Sequence, residues 1–428
     1  MVFWIDAICI NQNDPEEKAE QIKLMGDIYS HAKIVDVFLG PGTPNTDKAM
    51  DAARLIGKAA YDAGVLSITV ESMRDCEFYI REDHEGYGFN RPKIDDPLAD
   101  VKLSLYKLAM DTGTNFPYAG WSEIGARDYW NRLWIMQEFC LGKELMITCG
   151  NRTIPFHHCF EAAWIFLTMQ APLVLKTHGL LHSADNPAVS IDPYLEPMLR
   201  FLVCFESSPT STGPLIGARK QHQNSKGSNL KNLLERCCLK ASKDLIRQAR
   251  YPRDLIYGLL GMASDAKLLN IQPVYTNIES NEETVQIFTS VTRTLLKHDN
   301  IDILTWCQQP KSLLNLPSWV PDFTSITLKP ACETKEAGLF SASGNSQFSF
   351  VSTAADLDPR LLGVKGARID TIIGHGKEFT TENTSGIISR GTEEWLQIFA
   401  TISQYFDEIK SFCDKSKAIR SFTTTQYD

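Results

Sequence analysis

The sequence predicts an α/β fold. An N-terminal domain with a parallel sheet is followed by a mostly α-helical region and a few short C-terminal strands. Two apolar runs, Val2 to Ile10 and Ile34 to Leu39, have the composition of parallel strands buried on both faces. A helical pattern separates them, so strand, helix and strand follow one another within the first 40 residues, as in a βαβ unit. Beyond residue 150 the apolar spacing turns helical for most of the remaining chain.

The first helix has a legible start. Asp14 suits the N-cap, Pro15 the first helical position, and Glu17 completes an Asp-x-x-Glu capping box. Ile22, Met25, Ile28, Tyr29 and Ala32 then recur on one face. Gly40-Pro41-Gly42 closes the second strand, and a helix is expected over 47–63. A further helix over 128–141 and a strand over 144–148 complete a first domain at residues 1–150. Residues 67–126 read as an insertion within it, the polar, Gly- and Pro-containing stretch 75–100 above all. A helical region spans 151–315, with helices at 157–170, 194–206, 229–248, 253–262 and 281–298 and a Ser/Gly/Asn-rich flexible loop at 207–229. Residues 316–428 form a mixed region, with strand-like pieces near 339–351 and 361–373 and a final helix at 392–412.

With 428 residues the chain can build at least one sizeable core. Its net charge of −9 argues against a general nucleic-acid binder. The most apolar stretch, Ala162 to Leu175, is interrupted by Gln170 and Pro172 and falls short of a membrane span. Eleven irregularly spaced cysteines with no C-x-x-C suit reduced thiols in a cytoplasmic protein. P-loop, dinucleotide-binding glycine and serine-hydrolase motifs are all absent. His157-His158-Cys159 points to different sides of any regular element, a poor start for a metal site.

Two segments could carry chemistry. Asp6, with Asn11 and Gln12 after it, would sit at the carboxyl end of a buried strand, where open α/β sheets bind ligands. The same residues could instead cap a loop and satisfy turn backbone. The second segment is Tyr129-Trp-Asn-Arg-Leu-Trp-Ile-Met-Gln-Glu138, a helix apolar nearly all round. On a helical wheel Glu138 lies about 40° from Trp134 and about 20° from Asn131, whereas Arg132 points about 120° away and makes a poor partner. A carboxylate so placed has a raised pKa or a partner from elsewhere, which suits a catalytic acid or base and equally a buried structural glutamate. In Arg250-Tyr-Pro-Arg-Asp-Leu-Ile-Tyr-Gly-Leu-Leu-Gly261, Gly261 suits a C-cap, and the arginines suit an interdomain salt bridge better than an anion site.

Taken in order, Trp4-Ile-Asp-Ala-Ile-Cys-Ile-Asn-Gln12, Glu17, Gln21, Met25, Ile28-Tyr29, Ala32 and Val37-Phe-Leu-Gly40 resemble the central motif of the fungal heterokaryon incompatibility (HET) domain. Trp130-Asn-Arg-Leu-Trp-Ile-Met-Gln-Glu138 with Cys149-Gly150 resembles its second motif, and Arg253 to Gly261 and Leu316-Pro-Ser-Trp-Val-Pro-Asp322 resemble pieces found downstream in long members. The resemblance implies a nonself-recognition and cell-death signalling module, triggered by a protein partner or self-association. HET domains are in turn similar to TIR domains, which implies a TIR/flavodoxin-like parallel sheet. Since family members usually carry a strand upstream, the resemblance also implies that the first strand is missing here. Some TIR domains cleave NAD with a helix glutamate, and Trp134-x-x-x-Glu138 resembles that helix. On this analogy Glu138 is the candidate catalytic residue, NAD is a candidate substrate, and Asp6, Asn11, Gln12 and Trp134 line the ligand edge.

Overall fold

A computed structural model describes residues 2–68, 80–83, 86–89, 95–112, 115–177, 212–224, 227–238, 248–275, 280–298, 301–325, 358, 360–364 and isolated positions between 400 and 411. The expected helix at 194–206, the strand-like piece at 339–351 and most of those at 361–373 and 392–412 lie outside them. Residues 1–177 and 191–365 form one compact unit, and 178–190 with 366–428 form a second, whose few described positions sit in helical turns.

The first unit is mixed α/β and rich in helix. Among the described residues its sheet has three strands, β1 (Val35–Phe38), β4 (Leu145–Cys149) and β5 (Arg152–Pro155), in the order β1-β4-β5. β1 and β4 pair in parallel, Val35 opposite Leu145 and Val37 opposite Ile147, while β4 and β5 form an antiparallel hairpin. A separate antiparallel hairpin joins β2 (Ile80–Asp83) and β3 (Gly86–Phe89). Val35, Val37, Leu145, Ile147 and Cys149 are buried and alternate with more exposed neighbours, the period of a sheet packed on one face.

The run Val2 to Ile10 is not a strand. Residues 6–9 wind into a single turn, α1 (Asp6–Cys9), and Val2 and Ile8 are 96% and 77% exposed. No described strand lies alongside to take ladder bonds. The backbone instead closes on itself, Cys9 N–H to Ile5 C=O at 2.8 Å and Ile10 N–H to Asp6 C=O at 3.2 Å. Only Ile10 enters the core.

The helix that follows, α2 (Pro15–His31), starts where expected: Asp14 accepts the N–H groups of Glu16 and Glu17. The box is not reciprocal, because Glu17 reaches past the cap to the Asn11 N–H at 3.1 Å. Next, α3 (Pro44–Asp62) is closed at its start by a Thr43/Thr46 capping box. Residues 67–126 are less of an insertion than their polarity suggests. α4 (Ala99–Thr112) and α5 (Tyr118–Gly125) fall within them and pack on α3, with Trp121 and Ile124 fully buried. An aromatic cluster pays for this segment's order: the Trp121 ring lies 5.0 Å from Phe160, which stacks in turn on Trp130 and Trp164.

The helix expected over 128–141 is broken. A 3-10 turn covers Asp128–Asn131, and α6 begins only at Ile135 (Ile135–Leu141). Between them the chain is extended and bonds to a distant segment, Leu133 N–H to Gln248 C=O at 2.9 Å and Gln248 N–H to Asn131 C=O at 2.7 Å. This tertiary ladder outcompetes two turns of helix.

Phe156–Glu161 form a π-helical turn leading into α7 (Ala162–Thr177). Within the expected loop 207–229, residues Thr212–Asn224 are helical (α8), with Leu215, Ile216 and Arg219 buried. Packing overrides a low local propensity there. The remaining helices are α9 (Leu230–Cys238), α10 (Asp254–Leu260), α11 (Ala266–Leu269) and α12 (Asn281–Lys297). Gly261 is not a left-handed C-cap, since its φ is −65°. It is glycine because α2, α6 and α10 converge there: a Cβ would lie 2.3 Å from Gln137 Oε1 and 3.0 Å from Gly26 Cα. Among the described residues no helix is long and apolar enough to cross a membrane.

Candidate functional site

Glu138 sits in the middle of α6, facing α2 and the N-terminal segment. Tyr29, near the end of α2, donates its hydroxyl to Glu138 Oε2 at 3.3 Å. Trp4 packs edge-on against the Tyr29 ring, centroids 5.6 Å apart. The Tyr129 hydroxyl is buried with no hydrogen-bond partner among the described residues, and Glu138 acts on it. Asp6 and Arg132 lie close enough to act on the same carboxylate by charge.

Burial is the largest influence on Glu138 and pushes its pKa up. The Arg132 charge opposes this most strongly, the two tyrosine hydroxyls help it, and Asp6 works the other way. The net result is a carboxyl held above its ordinary range. Both tyrosines are driven upward as phenols, by burial first and then by the neighbouring Glu138 charge. Arg132 is exposed and makes no ion pair or hydrogen bond with Glu138, acting on it through its charge alone.

The other candidates are placed differently. Asn11 Oδ1 accepts the Asn13 N–H, and Gln12 Nε2 donates to Asp6 C=O, so both side chains serve their own exposed loop. Trp134 turns to a second cluster, where its indole N–H donates to Asp254 Oδ2 at 3.4 Å. Tyr275 donates to the other Asp254 oxygen at 2.5 Å, and Lys18 Nζ lies 4.6 Å from the Tyr275 ring centre. Burial lifts the Asp254 pKa, and burial lowers that of Lys18. This group fastens α2 to α6 and α10. Arg253, wholly buried, bonds Val274 C=O and pairs with Glu283 at 3.2 Å, a bridge inside the expected helical region and not between domains. His157 binds Glu161 at 2.8 Å, and His158 packs on Tyr61. A cavity of about 410 Å³ between α11 and α12 includes none of the candidate residues.

Tyr29, Tyr129 and Arg132 escape a reading from sequence, though the first two share a feature that could have flagged them. Each is a tyrosine within an apolar segment, and a buried phenol needs an acceptor. Arg219 is likewise unforeseen. From α8 it donates to Phe139 C=O at 2.5 Å, Gly142 C=O at 2.7 Å and Lys143 C=O at 3.1 Å, closing the C-terminal end of the helix that carries Glu138.

Residues 1–138 match the family described as Heterokaryon incompatibility protein (HET). The match ends on Glu138 and takes in Trp4, Asp6, Tyr29, Tyr129 and Arg132. A particular relative is "Heterokaryon incompatibility protein 6, OR allele" of Neurospora crassa, 28% identical over 391 residues. The alignment covers 88% of this chain and 52% of the relative, so the chain spans about half that protein's length. No solved structure matches the chain.

Proposed function

We propose that the chain is a nonself-recognition and cell-death signalling module of the cytoplasm of a filamentous fungus, set off by a protein partner or by self-association. The observation that carries this reading is the HET match over residues 1–138, supported by 28% identity to an incompatibility protein along 88% of the chain. A net charge of −9 speaks for a protein partner over nucleic acid. The test is expression in a fungal host as a fusion to a chemically dimerised tag. Growth arrest and dye uptake on dimerisation are expected. Normal growth with and without the dimeriser, at verified protein level, counts against the module.

A second reading is favoured by one observation, the desolvated Glu138 beside two phenols. In it the HET domain is TIR/flavodoxin-like and hydrolyses NAD, with Glu138 as the catalytic residue and Asp6, Asn11, Gln12 and Trp134 along the dinucleotide edge. The parallel β1–β4 pair supports such a sheet. The bond from ribose C1′ to nicotinamide breaks, its electron pair leaving with nicotinamide, and water adds to C1′ with loss of a proton. Glu138 orients the ribose hydroxyls and stabilises the oxocarbenium charge, which a partly desolvated carboxylate does better than a fully solvated one. Purified chain should release nicotinamide from NAD, and Glu138→Ala should not. Equal release by both proteins removes Glu138 from the mechanism.

A further inference from the structure

We infer that Tyr29 and Tyr129 are positioning residues for Glu138, two phenols that together hold its carboxylate in one orientation. The inference rests on the reading of Glu138 as the reactive group of this domain, and it adds residues that the reading does not contain.

The geometry is specific. Tyr29 comes from α2 and Tyr129 from the 3-10 turn before α6, so the carboxylate is approached from two independent elements. Tyr29 already donates at 3.3 Å, and Trp4 packs edge-on against its ring. Among the described residues the buried Tyr129 hydroxyl has no hydrogen-bond partner, a costly state for a phenol, and Glu138 is the carboxylate that acts on it. The charged groups that act on this carboxylate are Arg132, ahead of α6, and Asp6, on the N-terminal segment. Arg132 and the two neutral donors favour the ionised form, against burial and Asp6.

Carboxylate donors favour ionisation, so deleting a hydroxyl must raise the pH at which Glu138 takes up its proton. A core residue that merely fills space does not have this effect. The experiment follows the Glu138 carboxyl by NMR across a pH titration in the full chain labelled with 13C-glutamate, assigned by Glu138→Gln. Tyr29→Phe and Tyr129→Phe keep both rings and remove one hydroxyl each. Each is expected to move the midpoint upward by about half a pH unit or more, and the double variant further. Any nicotinamide release should shift its acid limb by the same amount. Unmoved midpoints in both folded single variants overturn the assignment. A shifted midpoint in a chain that releases no nicotinamide supports the tyrosine pair and counts against the catalytic reading alone.

Discussion

Arg219 donates to the carbonyl of Gly142 at 2.7 Å across 77 residues, joining α8 to the last turn of α6. With its bonds to Phe139 and Lys143, one buried guanidinium satisfies three carbonyls that the helix itself cannot pair. The helix of Glu138 is only seven residues long and depends on this closure.

Arg219→Met should therefore destabilise the first unit by about 3–5 kcal/mol, since the carbonyls lose a charged donor in a buried place. Urea unfolding followed by tryptophan fluorescence measures it. A loss below about 1 kcal/mol would mean that water replaces the guanidinium.

The glycines of α10 test the close approach of three helices. A Cβ on Gly258 would meet Leu133 Cδ2 at 2.9 Å, and one on Gly261 would meet Gln137 Oε1 at 2.3 Å. Alanine at either should cost about 1–3 kcal/mol by overpacking. A Cβ on Gly217 of α8 would meet nothing within 4 Å, and alanine there should stabilise by about 0.5–1 kcal/mol. Thermal unfolding of the three variants should separate in opposite directions.

Asp322 anchors the segment 312–325 by accepting the N–H groups of Ser312, Leu313 and Thr324 and the Ser325 hydroxyl. Burial alone pushes its pKa up, but the bonds from Thr324, Leu313 and Ser325 outweigh it and hold the carboxyl below its ordinary range. The stabilisation is thus present above the unfolded value, about 3.9, and is lost as pH falls through the lower folded value. Asp322→Asn should cost about 2–3 kcal/mol at pH 7 and show a flatter dependence of the urea midpoint below pH 4. Parallel curves for wild type and variant would remove Asp322 from the acid transition.

Glu138 carries the opposite sign. Its folded pKa is raised by burial, so the protonated form favours folding, and stability is lost as pH rises from the unfolded value through the folded one. Glu138→Gln should be more stable than wild type at pH 8 and equal to it at pH 4, while abolishing cell killing. Such a trade of stability for activity marks a functional carboxylate. A variant less stable at pH 8 would point to a structural glutamate.

The sequence by itself determined the local features. The Asp14 cap of α2, the β1 and β4 strands, the helices at 44–62, 254–260 and 281–297 and the family resemblance all follow from short-range pattern, because caps, periodicity and turn residues act within a few positions. Tertiary structure decided the rest. Whether Val2 to Ile10 is a strand depends on a neighbour to pair with, and whether 212–224 is a helix depends on a carbonyl cluster 76 to 80 residues away. The site divides along the same line. Glu138 was legible as a carboxylate on an apolar helix. Its surroundings were not, because the helix breaks where Gln248 pairs with Asn131 and Leu133, and Trp134 turns to Asp254. Long-range hydrogen bonds carry no trace in local spacing, and they set the chemistry of this carboxylate.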